Sequence, residues 1–252
     1  MNNAAFETVN YRVENGVALI ELNRPQCLNA MNYQLVADTG DAFALANRDN
    51  EVRSVLFSGA GRAFCAGDDR NEHRHPETES EARKFVDAIQ RVTREMVLGE
   101  KPVVGAIHGW AVGGGFEWAI NCDFPIWERN AKAFFPEVSL NLFVTGGVTA
   151  LLPALVGLNR SREMLMLGEK YDATELMDFG VAWRVAENDR LMHEAQKIAE
   201  KLAAQPPLSL RAMKRVLSKT SAVDLERALA LETDATVAGF MDPETTRLLS
   251  DF

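Results

Sequence analysis

The chain has 252 residues, 27 of them basic and 36 acidic, a net charge of −9 and an apolar share of 47%. Such a composition is ordinary for a soluble globular protein, and a chain of this length buries about 70–75% of its unfolded surface in one or two units. The acidic balance argues against a nucleic-acid protein, whose footprint is a basic face, and leaves any anionic ligand to local cations and backbone N–H groups.

No charged start followed by an apolar stretch opens the chain, so no secretory signal is expected. Residues 8–13 and 17–22 are β-rich runs around Asn15-Gly16, a pair suited to the positive φ angles of a type I′ turn, and they predict a hairpin. Residues 33–46 carry Leu35, Val36, Ala42, Phe43 and Ala46 at helical spacing, with Asn32 as N-cap. Residues 52–57 read as a buried strand and 59–67 as a glycine-containing loop. The polar stretch 68–81 holds His73, His75 and Pro76 and reads as exposed and mobile. An amphipathic helix follows over 81–98 and an apolar strand over 102–107. The run His108 to Gly115 leads into a helix from about Phe116, and 123–128 and 133–135 are short strands. From Gly146 the signals are almost entirely helical, and 194–204, 208–217 and 224–240 form successive amphipathic helices with no strand signal beyond about 188.

Strand, crossover helix and strand in alternation predict a partly parallel sheet wound by helices. The helical tail is then a lid on the core or an oligomer interface. No window reaches ~18 uninterrupted apolar residues, so no spanning helix is expected. The three cysteines, Cys27, Cys65 and Cys122, lack CxxC spacing; they argue against a disulfide framework or zinc site and favour a reducing, cytoplasmic compartment.

Two glycine clusters invite a nucleotide reading and fail it. Gly59-Ala60-Gly61-Arg62-Ala63-Phe64 has Phe64 where a dinucleotide fingerprint needs a third glycine, and Gly113-Gly114-Gly115 misses that spacing too. No P-loop, HExxH or GxSxG is present. Three glycines between a strand and a helix expose free N–H groups at the helix's positive end, or else form only a tight turn under a neighbouring strand. Glu117, flanked by Phe116 and Trp118, and Glu137, after Pro136, are carboxylates among aromatic residues. Together they suit an acid/base pair tuned by burial; singly, each reads as well as a solvated residue or, for Glu117, a first-turn dipole partner.

Taken together, these segments resemble the crotonase superfamily, the enoyl-CoA hydratase/isomerase proteins. Asn23-Arg24-Pro25 with Leu28-Asn29-Ala30-Met31 resembles its NRP…LNA(L/M) run. Gly59 to Asp69 resembles its GxGxAFCAGxD loop, and Gly109 to Glu117 its GxAxGGGxE segment. Asn121-Cys122-Asp123 and Phe135-Pro136-Glu137 complete the set, in order and at family spacing. The resemblance implies an α/β fold: a crotonase-like spiral of ββα units over 1–187 and a C-terminal helical oligomerisation region over 188–252. It implies an acyl-CoA thioester as partner, a homotrimer or dimer of trimers, no metal, and no cofactor beyond the coenzyme A of the substrate. By alignment the N–H groups of Asp68 and Gly114 form the oxyanion hole, Glu117 is the base on water and Glu137 gives a proton to C2. Coenzyme A contacts carried over in the same way are Arg24, Gln26, Cys27, Leu28, Ala30, Ala66, Asp68, Arg70 and Gly114; for Arg24 a structural role in the NRP turn is the alternative. Two glutamates 20 residues apart favour an enoyl-CoA hydratase over a Δ3-Δ2 enoyl-CoA isomerase or a non-catalytic acyl-CoA-binding oligomer.

The chain also departs from the pattern. Asp68 stands where members carry a small or apolar residue, and a carboxylate there opposes an oxyanion, so it is expected to point outward or to pair with Arg70. Residues 142–149 replace a Pro-Gly-rich turn, and Phe116, Trp118 and Phe143 either narrow the acyl pocket or belong to the core. The sequence ends at Phe252, short of a Lys-containing tail found in many members, so a coenzyme A contact from that tail is not expected. His73 and His75 read as a solvated pair without a third metal ligand, His108 as structural and Cys65 as a small buried hydrophobe.

Overall fold

The computed structural model describes residues 5–221 and 224–251. β1 (Val9–Glu14) and β2 (Val17–Leu22) form the hairpin expected from Asn15-Gly16, pairing antiparallel with Glu14 opposite Val17 and both turn residues at positive φ. Then come α1 (Tyr33–Arg48), β3 (Ser54–Gly59), α2 (Glu79–Thr93), β4 (Val103–Ile107), β5 (Trp110–Val112) and α3 (Gly114–Ile120). They are followed by β6 (Phe124–Glu128), β7 (Lys132–Phe134), α4 (Val148–Leu167), β8 (Tyr171–Asp172), α5 (Ala173–Phe179) and β9 (Arg184–Ala186). Four helices close the described chain: α6 (Leu191–Ala203), α7 (Pro207–Ser221), α8 (Leu225–Met241) and α9 (Pro243–Asp251). Six strands form one sheet in the order β1-β2-β3-β4-β6-β9, parallel from β2 onward, and β5, β7 and β8 form a second.

The large sheet is covered on both faces, which is why β2 and β4 read as continuous apolar runs. Ala18, Ile20 and Leu22 face a core shared with α1 and α2, whereas Val17 and Leu19 join Leu56, Val104, Ala106 and Ile126 under Leu191, Ala195 and Ala199 of α6. The Ser54 hydroxyl also donates to the Ala199 carbonyl (2.8 Å). The helical tail therefore begins as part of the sheet's cover. α7 is pinned by Lys214, whose buried ammonium donates to the carbonyls of Met96 and Lys101 and to the Asp123 carboxylate (2.7–2.8 Å).

Three expectations need correction. β8 and β9 were hidden in a helical stretch because two or three residues show no periodicity. α2 starts at Glu79, where the Thr78 hydroxyl caps Glu81 N–H, and ends in a π-helical turn over Arg94–Leu98. The 68–81 segment is not uniformly exposed: Asp69 is buried and the His73 side chain is 8% exposed. The cause is Arg24, whose guanidinium donates to the Ala30 carbonyl, to Asp69 (2.7 Å) and to Glu72 (2.5 Å), drawing the start of that segment onto the NRP turn.

The loop after β3 is tied to the same turn by Asn29, which is fully buried at φ 55°. Its side-chain amide donates to the carbonyls of Ala60, Ala63 and Phe64 (2.8–3.1 Å), and its carbonyl oxygen accepts from Arg24 N–H (2.8 Å). Asn29→Ala leaves these groups without partners and is expected to cost about 3 kcal/mol in urea unfolding. A loss under about 1 kcal/mol would show that the loop does not depend on this amide.

Candidate active site

Glu117 lies in the first turn of α3 and is 1% exposed. Its aromatic neighbours are core: Phe116 stacks on Phe135 at 4.6 Å and Trp118 packs near Phe57, both fully buried. Of the three rings expected to shape a pocket, Phe143 alone lines the cleft. Glu117 is clamped by one residue. Thr145 N–H donates to Oε1 (2.7 Å) and Thr145 Oγ1 to Oε2 (2.5 Å).

Glu137 opens a 3₁₀ turn (Glu137–Leu140) after Pro136 and is 8% exposed. Its Oε2 is buried and, among the described residues, has no hydrogen-bond partner. Glycine makes room for each carboxylate. A Cβ on Gly113 (φ 50°) would stand 2.5 Å from Glu137 Oε1, and one on Gly146 (φ 69°) 2.7 Å from Glu117 Cβ.

The two environments separate the carboxyls. Burial pushes Glu117 up to about 7, with a further push from Glu232, but the two donors of Thr145 favour its ionised form. Glu137 is raised well above the carboxylate range, first by burial and then by the charge of Glu117, with Asp68 adding to it. Near neutrality one carboxyl is poised to accept a proton and the other holds one.

Thr145 is itself fixed by residues that the sequence reading missed. Gly146 N–H donates to Gln90 Oε1 (3.1 Å), and Gly147 N–H, Thr149 N–H and Thr149 Oγ1 donate to the buried Glu232 carboxylate (2.6–2.9 Å). Gln90 Nε2 reaches the same carboxylate at 3.3 Å. Glu232 from α8 thus satisfies the free N–H groups at the start of α4. A signal was present: Gln90 and Glu232 are polar residues in the apolar register of α2 and α8, between Val86 and Thr93 and between Leu229 and Thr236.

The two expected oxyanion donors border the same cleft. Met31 N–H donates to the Gly67 carbonyl and Asp69 N–H to the Met31 carbonyl, while Cys65 bridges to β5 through Trp110 and Val112. Among the described residues no hydrogen bond engages Asp68 N–H or Gly114 N–H. Ala66, Arg70, Phe85, Ile89 and Phe240 line the space around them. Gln26, Cys27, Leu28 and Ala30 sit on the adjoining turn and do not line it, and Arg24 is engaged with Asp69 and Glu72. The Asp68 carboxylate, expected to point outward or to pair with Arg70, has an ionic contact with His73 Nδ1 (3.1 Å). His73 and His75 are not a pair: His75 Nδ1 faces the Thr246 hydroxyl. His108 Nε2 meets the Gly61 carbonyl, a structural contact.

The family model described as enoyl-CoA hydratase/isomerase matches residues 12–245. The chain is 34% identical over 236 residues to a short-chain-enoyl-CoA hydratase of Clostridium acetobutylicum, covering 93% of this chain and 88% of that protein. It is 33% identical to a crotonyl-CoA hydratase of Syntrophomonas wolfei, covering 92% and 89%. A crystal structure of an enoyl-CoA hydratase from Mycobacterium avium subsp. paratuberculosis superposes with a TM-score of 0.90 at 26% identity, covering 98% of this chain and 99% of that one.

Removing one donor from the clamp is a direct test of the electrostatics. Thr145→Val deletes the hydroxyl, so the ionised form of Glu117 loses a partner and its titration midpoint moves upward by about one pH unit. Carbon-13 NMR of labelled glutamate carboxyls follows it. An unchanged or lower midpoint would mean that the Thr145 hydroxyl does not favour the carboxylate.

Proposed function

The chain belongs to the enoyl-CoA hydratase/isomerase family, and on that premise we propose that it adds water across the double bond of a 2-enoyl-CoA thioester. The observation that carries this reading is the split between two buried carboxyls facing one cleft: Glu117 with two donors and Glu137 with an orphaned oxygen. Ionised Glu117 takes a proton from water as its oxygen attacks C3. The electron pair of the double bond moves onto the thioester oxygen, where the N–H groups of Asp68 and Gly114 stabilise the enolate. Glu137 then gives its proton to C2, and a proton passed back from Glu117 resets the pair. Preorganised donors of this kind contribute about 3–4 kcal/mol each. The addition is redox-neutral and both proton transfers fall to these carboxyls, so coenzyme A enters as part of the substrate and no further cofactor is called for.

The acyl chain occupies the part of the cleft lined by Phe85, Ile89, Phe143 and Phe240. Gln26, Cys27, Leu28 and Ala30 with Ala66, Asp68 and Arg70 carry the coenzyme A moiety, and Arg24 serves it by holding their loops. A trimer or dimer of trimers is supported by exposed apolar residues on α7, where Leu208, Met213 and Val216 are more than half exposed. No helix among the described residues is long and apolar enough to cross a membrane, and the three cysteines are free thiols, which supports a cytoplasmic setting.

Crotonyl-CoA and longer or aromatic enoyl-CoAs should lose the ultraviolet absorbance of the conjugated thioester, with one solvent oxygen incorporated. Glu117→Gln and Glu137→Gln should each lower kcat by about 10²-fold or more. Turnover surviving both replacements would sink the mechanism, and double-bond migration without solvent oxygen would make the protein an isomerase.

A further inference from the structure

Asp68 presents a problem that the reaction makes acute. Its backbone N–H is one of the two oxyanion donors, and its own side chain is a carboxylate. A negative charge on the residue that must stabilise a developing negative charge opposes catalysis unless it is offset. Asp68 borders the cleft of the two glutamates and a neighbouring pocket lined by His73, Met31, Phe85 and Phe240. Its field reaches the reaction centre, since it also pushes Glu137 upward.

The structure supplies an offset. Asp68 Oδ2 lies 3.1 Å from His73 Nδ1. A lone pair on Nδ1 would face a carboxylate oxygen, so the contact assigns the proton to Nδ1, in the neutral ring as in the charged one. The ring is held there by packing: it lies on Phe240 of α8 at 5.6 Å, its side chain is 8% exposed, and Nε2 is buried without a partner among the described residues. An imidazole sunk this far with one nitrogen unsatisfied is costly, and the Asp68 contact is its one hydrogen bond among the described residues. Two other carboxylates of the loop have partners too. Asp69 and Glu72 take Arg24, and Glu72 also takes the Asn32 amide.

We propose that His73 is a positioning residue for the oxyanion hole. It holds the Asp68 carboxylate on Nδ1, away from the enolate, and offsets its charge, so that the Asp68 N–H can serve as a donor. This rests on the reading of Asp68 N–H and Gly114 N–H as the enolate's donors. It concerns a side chain that no part of the hydration chemistry requires.

The test is a double-mutant cycle read on the enolate itself. 3-Oxobutanoyl-CoA is bound to the wild type, His73→Ala, Asp68→Asn and the double variant, and the fraction ionised is taken from the ultraviolet band of the bound enolate. Hydration of crotonyl-CoA is measured on the same four proteins. His73→Ala should lower the enolisation constant about tenfold. In the double variant it should return to within about twofold of Asp68→Asn alone, because an uncharged side chain needs no offset. His73→Asn, which keeps an N–H donor, should lose less than His73→Ala. An effect of His73→Ala that persists in the Asp68→Asn background would reduce His73 to packing on Phe240, and no effect at all would also overturn the proposal. If the wild type stabilises the enolate with this pattern and hydrates nothing, the hydratase reading fails and the inference stands. If it hydrates and His73→Ala leaves the enolate unchanged, the reverse holds. If it neither hydrates nor ionises the ligand, there is no oxyanion hole and both fall.

Discussion

The site depends on a single residue, Thr145, placing two hydrogen-bond donors on a buried carboxylate. A buried carboxyl without partners stays protonated, because desolvation penalises its charged form. Two such carboxyls in one cleft would both be acids and neither a base. The clamp breaks that symmetry. Glu117 accepts the N–H and the hydroxyl of Thr145, while Glu137, 20 residues on, has an oxygen with no partner among the described residues. The difference between acid and base thus lies in the loop between Asn141 and Val148.

That loop is held from two directions. Gln90 on α2 accepts Gly146 N–H, and Glu232 on α8 accepts three donors at the start of α4. The C-terminal helices therefore reach the loop that clamps Glu117 through the Glu232 carboxylate. Its charge carries a penalty for the site, since Glu232 helps to push Glu117 up. The oxyanion side is organised by the same economy of polar contacts. Asn29 and Arg24, both in the NRP turn, hold the loop after β3 from beneath, and their partners are carbonyls and carboxylates within the chain. In an acidic protein of net charge −9, a polyanionic ligand has to be met by local groups such as backbone N–H donors rather than by the overall field.

Much of this was legible in the residues. Asn15-Gly16 marks the hairpin, Asn32 caps α1, and the apolar runs of β2 and β4 announce strands buried on both faces. The motifs around Gly61, Gly114 and Glu117 place the two loops that meet at the cleft. Other features were not legible, for physical reasons. β8 and β9 exist only as partners of strands distant in sequence, so their local pattern says nothing. The polar composition of 68–81 reads as solvated, yet Asp69 and His73 are buried because their partners come from the NRP turn and from α8. Thr145, Gln90 and Glu232 act through contacts across 28 to 142 residues. The local trace of Gln90 and Glu232 is a polar side chain in the buried register of a helix, and Thr145, in a loop, has none.

The central claim is that one carboxyl is a base and the other an acid at the same pH, and the pH dependence of kcat/KM for hydration measures this most directly. That profile reports the essential groups of the free enzyme. Glu117 must be ionised, so the rate should rise with pH through a limb near 7 and fall again at higher pH as Glu137 loses its proton. A rate that stays level from acid pH through 7, or that falls as pH rises through that value, would contradict the account.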